Sequence, residues 1–214
     1  MVKLSLALQR KHTRALAKEH VIALGEVVSA ANQLHDAFFN LFHVAVSLER
    51  TCEFGAEVKF YEHALAIWHV IQSDSSQREM AFNAISTVPT SLKLKPAIHR
   101  LKWAKTQADK MGSYRNLVAH SPITFSAKVK SNGHGFEWLP SFGGHGTRPI
   151  HKRRAELIEG LPFWRTVSTD FLNLSAYVAA VTWQIQRIAE AAKGAELIGG
   201  PASWPDRPKL RSPS

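Results

Sequence analysis

A long apolar seam near the start of the chain constrains its fold more than any other feature. Apolar and small residues recur there at spacings of three and four positions, the period at which side chains share one face of an α-helix. The members of the seam are Leu24, Val27, Ala31, Leu34, Phe38, Leu41, Ala45 and Leu48. A seam of this length needs other helices to cover it, so the pattern predicts a helix over about 13–48 within a helical bundle.

Two shorter helices are predicted after this one. An amphipathic pattern follows Gly55 and ends near Ser73. Ser76 and Glu79 then stand at the spacing of a capping box, a pairing that satisfies free N–H groups at the start of a helix. Pro89 stops this third helix, which we expect to be short.

The last two helices are marked by their prolines. A fourth helix begins near Pro96, and Pro122 disfavours helical geometry in the residue before it, so the helix should end close to His120. The fifth carries apolar residues on one side over 157–188, and Pro162 either kinks it or marks its true start. The chain therefore reads as all-α, an up-and-down bundle of about five helices.

The segment between the last two helices has a different period. Residues 123–129 and 136–139 are rich in β-branched and aromatic residues and flank a glycine-containing turn, which predicts a small β-hairpin insertion over about 122–152. We expect one domain over 1–193. From 194 to 214 the chain is rich in Gly, Pro and Ser, which favours a flexible tail.

The candidate site is the end of the fourth helix, where Arg115, Asn116 and His120 occur within six positions. The helical period puts Arg115 on the apolar face, and an arginine there demands an anion, a carboxylate partner or a wet cleft. Asn116 and His120 are one turn apart and therefore neighbours. A histidine can give or take a proton near neutral pH, so the three could act on a phosphodiester.

A purely structural interpretation accounts for the same residues. Arg115 could pair with an acidic residue such as Asp36, Glu49 or Glu53, and His120 could cap the last carbonyl groups of its helix. Each residue taken alone favours this interpretation. It is their combination that indicates chemistry.

The stretch Arg115-Asn116-Leu117-Val118-Ala119-His120 resembles the Arg-x4–6-His motif of the higher eukaryotes and prokaryotes nucleotide-binding (HEPN) superfamily, and the helical pattern resembles that family over about 24–189. The resemblance implies a metal-independent endoribonuclease in which Arg115 and His120 of two protomers face each other in a homodimer, with Asn116 orienting either group or the phosphate. It also implies a role in defence or as a toxin, with an antidote protein as a further partner. Other members of the family only bind nucleotides or partners without catalysis, and that is the alternative.

The charge of the chain agrees with an RNA partner. The formal net charge is +10 and the isoelectric point is near 9.9, a balance typical of proteins that bind nucleic acids. A basic cluster follows the predicted hairpin and could contact an RNA backbone. It comprises Arg148, Lys152, Arg153 and Arg154. The cluster is equally well explained as the solvent-exposed start of a helix.

Several other classes of protein are disfavoured. A single cysteine, Cys52, excludes an internal disulfide and a cysteine-based zinc knuckle. The longest uncharged run, 171–186, is too short and too polar to span a membrane, and no secretory segment follows Met1, so we expect a cytoplasmic protein.

No metal or cofactor is expected. The histidines of the insertion fit no tight ligand spacing. These are His134, His145 and His151. The glycines at 143–146 lack the lysine and the strand-to-helix context of a phosphate-binding loop.

Overall fold

A computed structural model describes residues 6–48, 56–88, 92–120, 123–129, 136–142, 160–192 and 203–211. This part of the chain contains five helices and a pair of strands. In chain order they are α1 (Leu6–Ser47), α2 (Ala56–Val70), α3 (Asp74–Ser86), α4 (Lys95–His120), β1 (Ile123–Val129), β2 (Phe136–Phe142) and α5 (Leu161–Ala192). The helical fold class predicted from the sequence is confirmed for these residues.

The helix boundaries agree best with the sequence where a proline sets them. Pro96 and Pro162 each lie in the first turn of their helix, where the missing N–H costs nothing, and α4 ends at His120 as Pro122 predicts. α1 begins at Leu6, earlier than expected. The apolar seam starts only at Leu24, but the residues before it are good helix formers with no breaker among them.

The start of α3 corrects one prediction. The N-cap is Ser73, three residues before the predicted Ser76, and its hydroxyl accepts a hydrogen bond of 3.2 Å from the Ser76 N–H. Ser76 already belongs to the first turn of α3, so it forms no capping box with Glu79. Both serines are residue types that cap helices well, and they are only three positions apart. Because α2 ends at Val70, the earlier serine is free to cap α3.

β1 and β2 are antiparallel, with a register that runs from Ile123 opposite Phe142 to Val129 opposite Phe136. They lie within the segment for which the sequence predicts a hairpin. The residues that join them, 130–135, lie outside the described part of the chain.

The described residues divide into two compact units. The first draws on 1–31, 111–170 and 211–213, and its most deeply buried large side chains include Leu24, Trp164 and Val167. The second draws on 32–110 and 171–210. Its most deeply buried side chains include Phe38, Leu41, Trp68, Ile85, Leu101, Leu174 and Ile185. Most of the apolar seam is thus buried, and only Ala31 and Leu48 are half-buried. A single domain over 1–193 stays a prediction.

Residues 203–211, within the segment that the sequence favours as a flexible tail, have defined contacts. In the second unit, the ring of Trp204 lies 5.5 Å from the Arg100 guanidinium, and Arg207 lies 5.4 Å from the ring of Trp103. In the first unit, the Arg211 N–H donates a hydrogen bond of 2.9 Å to the buried carboxylate of Asp170. The composition of the segment gave no sign of these contacts, which its aromatic and charged side chains make. The flexibility of the tail stays a prediction. The rest of the predicted tail lies outside the described residues.

Candidate functional site

The last two turns of α4 have one buried edge and one exposed edge. Met111, Leu117 and Val118 are buried, whereas Asn116 and His120 are exposed. Burial of the apolar edge holds the helix in place up to its final residue. Asn116 and His120 therefore stand on a packed helix and face solvent.

Tyr114, directly before the motif, is held by aromatic packing within the first unit. Its ring packs edge to face against Phe163 and Trp164, which both lie in the first turn of α5. The ring centroids are 5.5 Å apart for Phe163 and 6.4 Å apart for Trp164. Phe163 and Trp164 also pack edge to face on each other, at 5.1 Å. Such pairs add directional attraction to the burial of the rings. The backbone that carries Arg115 is thereby anchored on its N-terminal side.

Arg115 is half-buried and lies at the border between the two edges, which corrects the prediction that it belongs to the buried face. Its Nη1 donates a hydrogen bond of 3.1 Å to Oδ1 of Asn116. The spacing of apolar residues could not separate a border position from a buried one. Whether a long side chain turns inward or outward depends on the volume that its neighbours leave.

This hydrogen bond brings together groups that a bare helix would separate. Arg115 and His120 are five positions apart, so the angle between them around the helix axis is about 140°. The corresponding angle between Asn116 and His120 is only about 40°. The bond draws the Arg115 guanidinium toward Asn116, which shares its side of the helix with His120. Guanidinium, amide and imidazole are thus gathered toward one edge.

The chemistry of that edge suits an anion. A guanidinium can only donate, so the Asn116 amide presents its oxygen to Arg115 and its two N–H donors elsewhere. A permanent positive charge, a neutral donor and an imidazole are the groups that bind a phosphate and exchange protons with its oxygens.

The second predicted part of the site lies outside the described residues. This applies to the basic cluster of Arg148, Lys152, Arg153 and Arg154 and to the histidines of the insertion, His134, His145 and His151. RNA binding by the basic cluster stays a prediction, and no role was predicted for the histidines.

A charged network in the second unit was not predicted. Arg78 is only 7% exposed, and its Nε and Nη2 donate hydrogen bonds of 3.0 and 2.9 Å to Oδ1 of Asp109. Lys105 binds Oδ2 of Asp109 at 2.9 Å and Oε2 of Glu79 at 2.7 Å. The four side chains join α3 to α4. In the sequence only Lys105 and Asp109 are visible as a pair, through their spacing of one helical turn.

The network shifts the ionisation of its members. Burial acts to raise the pKa of Asp109, but the hydrogen bonds from Lys105 and Arg78 outweigh it and hold that pKa below its ordinary value of 3.8. The pKa of Lys105 is raised above 10.5, mainly by its hydrogen bond to the Glu79 carboxylate and to a smaller extent by Asp109. Partial burial of Lys105 acts in the opposite direction. Asp109 and Lys105 are therefore charged at neutral pH, and the network is structural.

A histidine in the same unit is oriented by two neighbours. Nε1 of Trp68 donates a hydrogen bond of 2.8 Å to Nε2 of His35, and Nδ1 of His35 lies 4.0 Å from Oδ1 of Asp74. The Trp68 ring is almost fully buried and also contacts Phe39 and Phe42. Because Nε2 is occupied by the indole N–H, this imidazole serves packing between α1 and α2.

Two further findings hold for the described residues alone. No group of three or more His, Cys, Asp or Glu side chains there is placed to hold a metal ion. None of the helices in those ranges combines the length and the apolar content that crossing a bilayer requires.

No protein-family model, no curated protein and no solved structure matches this chain. Its own residues therefore carry the functional proposal.

Proposed function

We propose that this protein is a metal-independent endoribonuclease of the HEPN type, with Arg115, Asn116 and His120 as its reactive groups. The observation that carries the proposal is the hydrogen bond from Arg115 to Asn116 on the exposed edge of α4, one turn before His120. The net charge of +10 supports an RNA substrate.

In the proposed reaction the RNA supplies its own nucleophile. A 2′-oxygen attacks the adjacent phosphorus while a base takes its proton, the bond from phosphorus to the 5′-oxygen breaks, and an acid returns a proton to that oxygen. The products are a 2′,3′-cyclic phosphate and a 5′-hydroxyl. Arg115 and Asn116 stabilise the negative charge that grows on the phosphate oxygens in the transition state.

His120 supplies the proton transfer, which contributes about 10² to 10⁴ in rate for a well-placed group. One imidazole serves poorly as base and acid in the same step. A homodimer that brings two motifs together would provide one imidazole for each role. RNA is thus the proposed substrate, a second copy the proposed partner, and an antidote protein the proposed means of restraining the activity.

The test is cleavage of end-labelled single-stranded RNA and tRNA by purified protein in excess EDTA, with analysis of the product ends. We expect the wild type to leave 2′,3′-cyclic phosphates and the variants Arg115→Ala and His120→Ala to lose at least about 100-fold in rate. His99→Ala is the matched control, because His99 is another exposed histidine of α4.

Two results would contradict catalysis at this site. Undiminished cleavage by His120→Ala would show that the activity resides elsewhere or in a contaminant. RNA binding without cleavage, lost in Arg115→Ala, would instead identify the non-catalytic binding module that the same motif allows.

A further inference from the structure

The outward face of α1 in the first unit carries large apolar side chains that remain in contact with solvent. Val21 and Ile22 are 55% and 51% exposed. The opposite face of the same stretch is fully buried. It comprises Ala23, Leu24, Val27 and Ala30. Single exposed apolar residues are common, so exposure by itself indicates nothing.

The neighbours of Ile22 form a stripe along this face. Within two turns on either side of Ile22, four residues lie within about 40° of it around the helix axis, and all are exposed. They are Ala15, Lys18, Glu26 and Ser29. The stripe is about 21 Å long, at 1.5 Å per residue. It has an apolar centre, a charge on each side and a small residue at each end.

This order makes the stripe complementary to itself. When two copies of a helix pack antiparallel about a two-fold axis at Ile22, each residue faces the one equally distant on the other side of Ile22. Lys18 then faces Glu26 of the second copy, and Glu26 faces its Lys18. Ala15 faces Ser29, so the ends of the stripe can approach closely. The parallel arrangement would set Lys18 against Lys18 instead.

Gly25, beside the stripe, removes a steric obstacle. A Cβ atom placed there would meet nothing within 4 Å, so the space next to Ile22 is open to a partner's side chain. Val21 extends the apolar centre on the same side. Lys18 and Glu26 are eight positions apart, too far for a side-chain pair within one helix. A contact between Lys18 and Glu26 therefore needs two chains.

We infer that this face of α1, which we call the α1 stripe, is a homodimer surface, with Lys18 and Glu26 as reciprocal pairs around Ile22. The inference goes beyond the proposed function, since it holds whether or not the chain cleaves RNA. Its readout is the dependence of association on Lys18, Ile22 and Glu26, whereas the readout of the nuclease proposal is RNA cleavage, so the two can fail separately.

The test is sedimentation equilibrium of the full chain and its charge-reversal variants at low salt. Lys18→Glu or Glu26→Lys breaks both symmetric pairs and creates like-charge contacts, so each should raise the dimer Kd by about tenfold or more. The double variant restores both pairs and should return to within about threefold of the wild-type Kd. An equimolar mixture of the two single variants should form a heterodimer, because each then supplies the charge that the other lacks.

Ile22→Asp and Ile67→Asp are the matched pair for the apolar centre. Ile67, on α2, is 53% exposed, nearly the same as Ile22. Circular dichroism would show whether both variants fold. Ile22→Asp should abolish the dimer and Ile67→Asp should leave its Kd unchanged. A wild type that stays monomeric at about 100 µM, or a dimer that neither charge reversal weakens, would overturn the inference.

Discussion

The Nη1 atom of Arg115 lies 3.1 Å from Oδ1 of Asn116, so two adjacent residues of α4 are joined through their side chains. Adjacent helical residues normally diverge by about 100° around the axis. The contact therefore orients the guanidinium, whose long side chain would otherwise sample many rotamers. In the proposed reaction Asn116 would position Arg115 as well as donate to the substrate.

Asn116→Ala should reduce RNA cleavage by about tenfold in kcat/KM, because loss of a hydrogen bond to a charged group costs about 1.4 kcal/mol or more. Asn116→Asp keeps an acceptor for Arg115 but places a negative charge beside the phosphate, so it should be at least as inactive. Steady-state cleavage of a short labelled RNA is the measurement. Asn173→Ala, an exposed asparagine of α5, is the control. Full activity in Asn116→Ala would show that the contact plays no part.

Asp109→Asn should lower the free energy of unfolding by about 2 kcal/mol at pH 7, because it leaves the buried Arg78 without its carboxylate. Urea denaturation followed by circular dichroism measures this. Asp206→Asn, at an exposed aspartate of the C-terminal segment, is the control and should change little.

The same variant tests the pH dependence. The folded pKa of Asp109 is lowered, so its contribution is fully present above the unfolded value of 3.8 and is lost as the pH falls through the folded pKa. Between about pH 5 and pH 2 the wild type should therefore lose stability relative to Asp109→Asn, and the difference between them should shrink. A difference that stays constant over this range would mean that Asp109 has an unshifted pKa.

His35 should carry its proton on Nδ1 when neutral, because Nε2 accepts the hydrogen bond from Trp68. Nitrogen-15 NMR of the imidazole distinguishes the two tautomers. In Trp68→Phe, which keeps an aromatic ring and removes the donor, the preference should weaken and stability should fall by about 1 kcal/mol or more. An Nε2–H tautomer in the wild type would contradict this geometry.

The segment 203–211 should be rigid on the nanosecond timescale, with backbone order parameters of about 0.8 for residues near Trp204 and Arg207. Replacing both residues by alanine removes the contacts with Arg100 and Trp103, and the order parameters should fall below about 0.6. Lys209→Ala, at an exposed position of the same segment, should leave them unchanged. Low order parameters in the wild type would show that the tail is flexible after all.

The sequence by itself determined the helical elements. The seam from Leu24 to Leu48 predicts α1 because burial of one face imposes a period of 3.6, and that period is visible without any partner. Pro96 and Pro162 mark helix starts and Pro122 marks a helix end, because proline restricts the backbone conformation locally. The position of His120 at the end of α4 follows from the same local rule, as does its placement one turn after Asn116.

Only the tertiary structure decided what depends on residues distant in the chain. Arg78 and Asp109 are 31 positions apart, and no local pattern indicates that they pair. The half-buried state of Arg115 depends on the volume left by its neighbours. The contacts of Trp204 and Arg207 depend on α4, because their partners Arg100 and Trp103 lie on that helix. Local periodicity reports which face of a helix is apolar, whereas the partners of a polar side chain are set by packing between elements.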